Sequence, residues 1–194
     1  MKKLFALFLF FPVLIFSQKT YKEFNVWDYK MELSVVVDGK SKGEVYMNYK
    51  EDGTAAMSFK DSEQRLEFAD FLSTTYTKFK DWKKTALENN VKELVKEIDN
   101  GRFGSAIAFR YGKWQFSFGK HDLSAKMFIT KEGKVYYVVS FPSVKSSSNE
   151  YIEQDAVNWV INDEEDVKNL ISYLSDEVVN EFLNSQNNKD DLFN

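Results

Sequence analysis

The chain has no cysteine among its 194 residues. That excludes disulfides, cysteine nucleophiles, thiolate metal sites and the cysteine-borne lipid anchor of a bacterial envelope protein. It has a single histidine, His121, whereas a structural zinc site takes several His or Cys ligands. It has no surplus of basic residues: 26 Lys and Arg stand against 30 Asp and Glu, a net charge of −4. A nucleic-acid partner, whose phosphates ask for a basic surface, is argued against on that balance. It also has no apolar run long enough to cross a bilayer. The opening run from Leu4 to Phe16 is 13 uncharged residues, and about 20 are needed to span roughly 30 Å of hydrocarbon. Pro12 would break a straight helix within it, and no second long apolar run follows residue 18.

What stands at the start has another use. Lys2 and Lys3 precede the apolar run, and Ser17 supplies a small residue at its end. A positive start, a short apolar stretch and a small residue at the cut describe a secretory signal. The expectation is cleavage after Ser17, leaving Gln18 as the new N-terminus and a product in the periplasm or outside the cell. That product has 177 residues, 24 of them basic and 30 acidic, a net charge of −6. No transmembrane segment is expected in it. One domain of this size buries about 70% of its unfolded surface without disulfides. The division expected is residues 1–17 as signal, 18–185 as one globular domain and 186–194 as a polar, fraying tail.

Several stretches alternate apolar and polar residues, the signature of half-buried strands. Met31, Leu33, Val35 and Val37 share one face, then Val45, Met47 and Tyr49, then Ala55, Met57 and Phe59. "EDG" at 51–53 is a tight-turn signal between the last two. The spacing then becomes helical through Phe68, Leu72, Thr75, Phe79, Trp82 and Ala86, and continues through Leu87, Val91, Leu94 and Ile98. Asp61 with Gln64 makes a capping box, and Asn100–Gly101 reads as a stop. One long helix is expected, or two separated near Asn89–Asn90. Strands return over Phe103–Phe109, at Trp114, Phe116 and Phe118, and at Leu123, Ala125, Met127 and Ile129. "KEGK" at 131–134 turns the chain into "VYYVVSF" at 135–141, apolar on both faces as a central strand is. After a Ser-rich loop at Ser146–Ser148, "AVNWVI" at 156–161 reads as a last strand. A final helix carries Val167, Leu170, Leu174, Val178 and Phe182.

One segment recurs. "SFKDSEQRLEFADFL" at 58–72 aligns without gaps on "VINDEEDVKNLISYL" at 160–174, and "GEVYMN" at 43–48 resembles "GKVYYV" at 133–138. A unit of three strands and a helix used twice would explain it. Chance would too, because amphipathic helices after strands look alike.

Five features invite chemistry. His121 adjoins Asp122 and lies near Ser124, but adjacent strand residues point to opposite faces, and no Gly-x-Ser-x-Gly elbow is present; an exposed turn histidine is expected. Asp163, Glu164, Glu165 and Asp166 invite a calcium reading but lack the spacing of a calcium loop. Consecutive helical residues diverge by about 100°, so an acidic first turn facing the helix dipole is the expectation. "KFKDWKK" at 78–84 places Phe79 and Trp82 on one helix face and Lys78, Lys80, Lys83 and Lys84 round the rest. That is a buried stripe with a solvated back. Glu32, Glu44 and Asp52 are carboxylates on or beside strands, the raw material of a carboxylate hydrolase if two share a cleft. Aromatic residues make up 16% of the chain. Trp114, Phe116 and Phe118 on one strand face, with Tyr136 and Tyr137, are expected as core fillers, the alternative being a stacking surface for a ligand.

The expected fold is α+β: an antiparallel sheet of about seven or eight strands with the long helix and the C-terminal helix packed on it. A curled half-barrel around the long helix is the alternative. No residue is assigned a catalytic, cofactor-binding or metal-ligating role, and no cofactor is expected. The function expected is that of an exported, non-catalytic binding or interaction module for a protein, glycan or apolar ligand. The alternatives are an assembly component of the envelope and an exported carboxylate hydrolase.

Overall fold

A computed structural model describes residues 17–191, with side chains to residue 186. The proposed cleavage segment therefore lies, apart from Ser17, outside the described residues. The class is α+β with antiparallel pairing throughout. The first half of the chain lays down β1 (Gln18–Val26), β2 (Tyr29–Val36), β3 (Val45–Asn48) and β4 (Ala55–Phe59), then α1 (Ser62–Glu88). The second half continues through β5 (Leu94–Phe103), β6 (Ala106–Tyr111), β7 (Lys113–Phe118), β8 (His121–Ile129) and β9 (Val135–Phe141). It closes with β10 (Val144–Ser146), β11 (Asn149–Gln154), β12 (Val157–Ile161), α2 (Glu164–Tyr173) and α3 (Asp176–Asp191). A six-stranded sheet runs β1-β2-β3-β4-β6-β7, and a four-stranded sheet runs β12-β9-β8-β5. β10 and β11 form a separate hairpin. Among the described residues no helix is long and apolar enough to cross a membrane.

The inner faces of both large sheets meet in one core. Met31, Leu33, Met47, Met57 and Phe109 come from the six-stranded sheet, and Leu123, Met127, Tyr137, Val139 and Trp159 from the four-stranded one. α1 joins them through Phe68, Leu72 and Phe79. Each fully buried side chain of this kind stabilises the fold by about 1.5–3 kcal/mol relative to exposure. β9 is the central strand its composition implies, with Tyr137, Val139 and Phe141 facing the core and Tyr136 and Val138 half-buried on the outer face.

α1 begins as its sequence dictates. Asp61 accepts the N–H of Gln64 at 3.0 Å, and Gln64 Oε1 accepts the N–H of Lys60 at 3.0 Å. It ends earlier than the periodicity implies. Asn90 takes the left-handed conformation (φ 50°); its N–H bonds to Leu87 O at 3.2 Å, and the N–H of Val91 reaches Ala86 O at 2.9 Å. These two bonds satisfy the last carbonyls in a Schellman arrangement. Residues 94–98, expected to continue the helix, belong instead to the strand β5. A bulge between Glu97 and Asp99 shifts its register. The inward set therefore passes from Leu94 and Ile98 to Gly101 and Phe103. One inserted residue makes a period of two look like helical spacing. Gly101 is not a helix cap; the ring of Phe103 lies so close over it that a Cβ would sit 2.4 Å from the ring edge.

The expected single strand over Phe103–Phe109 is two strands in two sheets. Gly104, at φ 76°, turns the chain from β5 to β6, and a Cβ there would meet Met57 Cγ at 2.8 Å. The final helix breaks at Leu174–Ser175 into α2 and α3, and the buried face passes to Val179 rather than Val178. The backbone of α3 stays helical to Asp191. β2-β3-β4-α1 and β8-β9-β12-α2 share one order, three antiparallel strands and then a helix with an Asp cap.

Candidate functional site

The described surface has a cleft of about 550 Å³ where the two large sheets meet. Three segments build it: the β1–β2 hairpin end, the β3–β4 turn and the start of β12. Its floor is the seam between the sheets. Trp159 of β12 donates its indole N–H to Tyr49 O at 2.8 Å. Tyr49 stacks on Phe141 with ring centroids 4.6 Å apart, and Trp159 packs on both Phe141 and Phe24. The Tyr49 hydroxyl is buried and has no hydrogen-bond partner among the described atoms; burial raises its pKa.

The mouth is aromatic and exposed. Trp27 and Tyr29 are 45% and 48% accessible. Trp27 reaches over to Tyr136 on β9, ring centroids 5.9 Å apart. Its backbone is left-handed, φ 57°, in a two-residue connection between the paired residues Val26 and Tyr29. For a bulky side chain this is a strained conformation that glycine would adopt freely. Three polar side chains complete the rim: Lys50, Glu51 and Asn158. A hydrogen bond from Tyr29 to the Glu51 carboxylate raises the pKa of the phenol. Asn158 Oδ1 accepts from Ser140 Oγ at 2.7 Å, which directs its amide NH₂ away from that bond. Lys50 lies 3.6 Å from Asp52.

A second, smaller trough of about 370 Å³ lies on the outer face of the six-stranded sheet. Small residues pave it: Ser58 opposite Ala106, and beside them Ser105 and Ala108. Tyr46 flanks them on β3, Phe116 and Phe118 on β7. The two Phe rings stack nearly parallel at 5.9 Å. Here the core-filler expectation is overturned. Trp114, Phe116 and Phe118 all point outward, and Gln115 and Ser117 take the inner side because the edge strand turns its polar residues toward the β10–β11 hairpin. Gln115 Oε1 accepts from Ser146 Oγ at 3.0 Å, and Ser147 N–H bonds to Phe116 O at 2.7 Å. The Ser-rich segment is thus the turn of a hairpin that covers the β7 edge. Tyr136 and Tyr137 divide as strand alternation requires. Tyr137 is buried, with its hydroxyl 2.6 Å from Thr75 Oγ1, and Tyr136 faces out.

His121 is buried, not an exposed turn residue, because it opens β8 with its side chain inward opposite Phe103. Its Nε2 sits 3.1 Å from Ser117 O, and burial lowers its pKa. Asp122 takes the opposite face and pairs with Arg102 at 3.1 Å. Histidine, aspartate and Ser124 are therefore not brought together as a triad. Asp163 caps α2 by accepting the Glu165 N–H at 2.9 Å. Glu164 bonds Lys168 at 2.9 Å and Lys80 at 3.1 Å, which lowers its pKa. Burial raises that of Asp166. No group of three metal-ligating side chains occurs among the described residues.

Three of the four lysines of 78–84 are likewise engaged, Lys80 with Glu164 as above. Lys78 donates to Ile98 O at 3.0 Å and lies over the Trp82 ring, and Lys83 lies over Phe79. Of the strand carboxylates, Glu32 accepts from Thr20, and Glu44 lies in the trough beside Tyr46. Asp52 is bound by Thr54, whose hydroxyl lowers its pKa. Neither concavity brings two of these together: the cleft's described lining holds one carboxylate, Glu51, and the trough's one, Glu44.

Two features of this surface have weak sequence signals. Trp27–Asp28 lies in a polar stretch without clean alternation, so β1 and its turn pass unseen. Arg65 is an ordinary charge in an amphipathic helix, yet it is buried; its Nε donates to Leu174 O at 3.3 Å and its guanidinium pairs with Asp176. No family model, curated protein or solved structure matches the chain.

Proposed function

We propose that this protein is an exported, periplasmic or secreted, non-catalytic binding module that holds its ligand in the cleft between the two sheets. The observation that carries the reading is Trp27. An exposed tryptophan is held in a strained backbone conformation at the mouth of an aromatic-floored cleft. Strain of this kind costs about 1–3 kcal/mol and persists where surrounding structure enforces it, most often at functional sites. A mostly apolar concavity with a few convergent polar groups is what a small-ligand site requires. The hydrolase alternative asks for two carboxylates about 5–9.5 Å apart, and the single carboxylate in each concavity gives it no support. An assembly role is favoured by a different observation, the outward Phe116–Phe118 stack with Phe118 71% exposed.

Export rests on the opening run of Lys2, Lys3 and the apolar residues to Phe16. The matched order of β2-β3-β4-α1 and β8-β9-β12-α2 supports an old duplication, in which the β3–β4 turn of one unit and β12 of the other contribute to the cleft. The test is to express the full chain in a bacterium and recover it from periplasm and medium. The mass of the product is then read, and bound molecules are identified by native mass spectrometry with photo-crosslinkers at Tyr29 and at Phe118. A product beginning at Gln18 with adducts at Tyr29 is expected. Self-adducts at Phe118 with a dimeric mass would favour assembly, and an intact Met1 in the cytosol would remove export.

A further inference from the structure

We infer that the ligand of this cleft is a neutral sugar ring of an oligosaccharide, stacked on Trp27 and held by Glu51, Asn158 and Lys50; this rests on the binding-module reading above. A sugar ring presents an apolar face of C–H bonds and a rim of hydroxyls that each donate and accept. The cleft offers the complement of both. Trp27 and Tyr29 give exposed aromatic faces at the mouth. Glu51 is an acceptor, while the Asn158 amide, with its oxygen already occupied by Ser140, is left as a donor. The Lys50 ammonium adds further donors.

The charge pattern argues for neutrality. Lys50 and Glu51 are adjacent and opposite in sign, and Asp52 lies 3.6 Å from the Lys50 ammonium, so an anionic ligand meets carboxylates and a cationic one meets the ammonium. An alkyl chain is disfavoured because it would cover three polar side chains without replacing their hydrogen bonds to water. The backbone supplies the second, independent observation. Between Val26 and Tyr29 the turn asks for glycine or asparagine, yet tryptophan stands there at φ 57°. Packing on Tyr136 accounts for where the ring rests, but it does not require a residue in the left-handed region.

That conflict gives a test with opposite signs for structure and binding. Trp27→Gly relieves the backbone, so its melting temperature should hold or rise, while its affinity for sugar should fall at least about tenfold, the usual loss for an aromatic anchor. Protein purified after expression of the full chain is titrated with cellotetraose, chitotetraose, polygalacturonate and palmitate, read by tryptophan fluorescence and amide chemical shifts. Saturable binding of a neutral tetrasaccharide is expected, with shifts at residues 27–31, 49–51 and 156–160. It should be weakened by Trp27→Gly and by Asn158→Ala, and kept in large part by Trp27→Phe. Binding of polygalacturonate or palmitate alone at those residues would overturn the neutral-sugar assignment and leave the cleft as a binding site. Binding of none of the four by a folded protein would overturn the sugar assignment, while the crosslinking experiment above decides the wider reading separately. Sugar binding untouched by Trp27→Gly would overturn the role given to Trp27.

Discussion

β2-β3-β4-α1 and β8-β9-β12-α2 follow the same order, but they differ in the connection before the third strand and in the exit of the helix. The first unit joins β3 to β4 by a tight turn at Lys50–Thr54, with the N–H of Gly53 bonded to Lys50 O. The second joins β9 to β12 through the β10–β11 hairpin, which leaves to cover the edge of β7. The short turn and the end of the long detour both reach the cleft, as Lys50–Glu51 and as Ala156–Val160. The helices differ as well: α1 runs 27 residues, whereas α2 stops after 10 and hands over to α3. The comparison teaches that a shared core can be kept while the connections are free to build surface. In both units the residues facing the core are apolar at matching places, Phe68 and Leu170, then Leu72 and Leu174. Of the cleft's polar residues, Lys50 and Glu51 come from a connection, whereas Asn158 stands on β12.

The largest expected effect lies where one unit grips the other. Arg65 of α1 is buried and pairs with Asp176 at the start of α3, which also accepts from Ser62 Oγ at 2.7 Å. Asp176→Ala strands a buried guanidinium, and removing one partner of such a pair costs about 3–5 kcal/mol. Asp176 is half-exposed, so water replaces part of the loss and the low end, about 3 kcal/mol, is expected. Urea unfolding measures it. A loss below about 1 kcal/mol would mean that the helices are held by apolar packing alone.

The tyrosine hydroxyls sharpen the comparison at the floor of the molecule. Tyr137 shares a hydrogen bond with Thr75, while the Tyr49 hydroxyl is buried without a partner. Tyr137→Phe should therefore lower stability by about 1 kcal/mol. Tyr49→Phe should raise it by a similar amount, because an unpaired buried polar group is removed without a cavity. Parallel thermal melts of the two variants decide it. Equal losses would show that the Tyr49 hydroxyl has found a partner such as an internal water.

The caps compare the units directly. Asp61 and Asp163 both accept a backbone N–H in the first turn, and in α1 the Gln64 side chain also accepts the N–H of Lys60. Replacing a capping Asp by Ala costs about 0.5–2 kcal/mol. Asp61→Ala is expected to exceed Asp163→Ala, and Gln64→Ala should bring the two helix starts closer in stability. If the Asp163 cap proved the stronger, the acidic first turn of α2 would have to act through more than hydrogen bonding.

Much of this architecture is legible in the chain, and the failures have local causes. The alternation of Met31–Val35, Val45–Met47 and Leu123–Ile129 marks strands because one face of each meets the core. The Asp61–Gln64 box marks the helix start because capping is a contact within four residues. The end of α1 escaped because the bulge in β5 gives Leu94, Ile98 and Gly101 a helical rhythm. The direction of Trp114, Phe116 and Phe118 escaped because alternation states which residues share a face but not which face is covered. Only the β10–β11 hairpin, far along the chain, decides that Gln115 faces inward. The cleft draws on three segments spread from Val26 to Val160, so no single window of sequence contains it.

The smallest expected effect concerns His121, which has no counterpart in the first unit and sits where β7 leaves one sheet and β8 enters the other. Burial holds its pKa below the ordinary histidine value of about 6.5. The hydrogen bond to Ser117 O and the nearby Asp122 pull the other way, and Arg102 adds to the lowering. The unfolded chain therefore binds a proton at a pH where the folded one does not. Stability is then full above the unfolded pKa and falls as the pH drops from it toward the folded value, with no further loss below that. His121→Gln can keep a donor for Ser117 O yet cannot titrate. Unfolding free energies of the two proteins should differ in slope between about pH 7 and pH 5, with the parent falling more steeply. Parallel lines across that window would mean that the imidazole keeps its ordinary pKa and that the passage between the sheets is open to water.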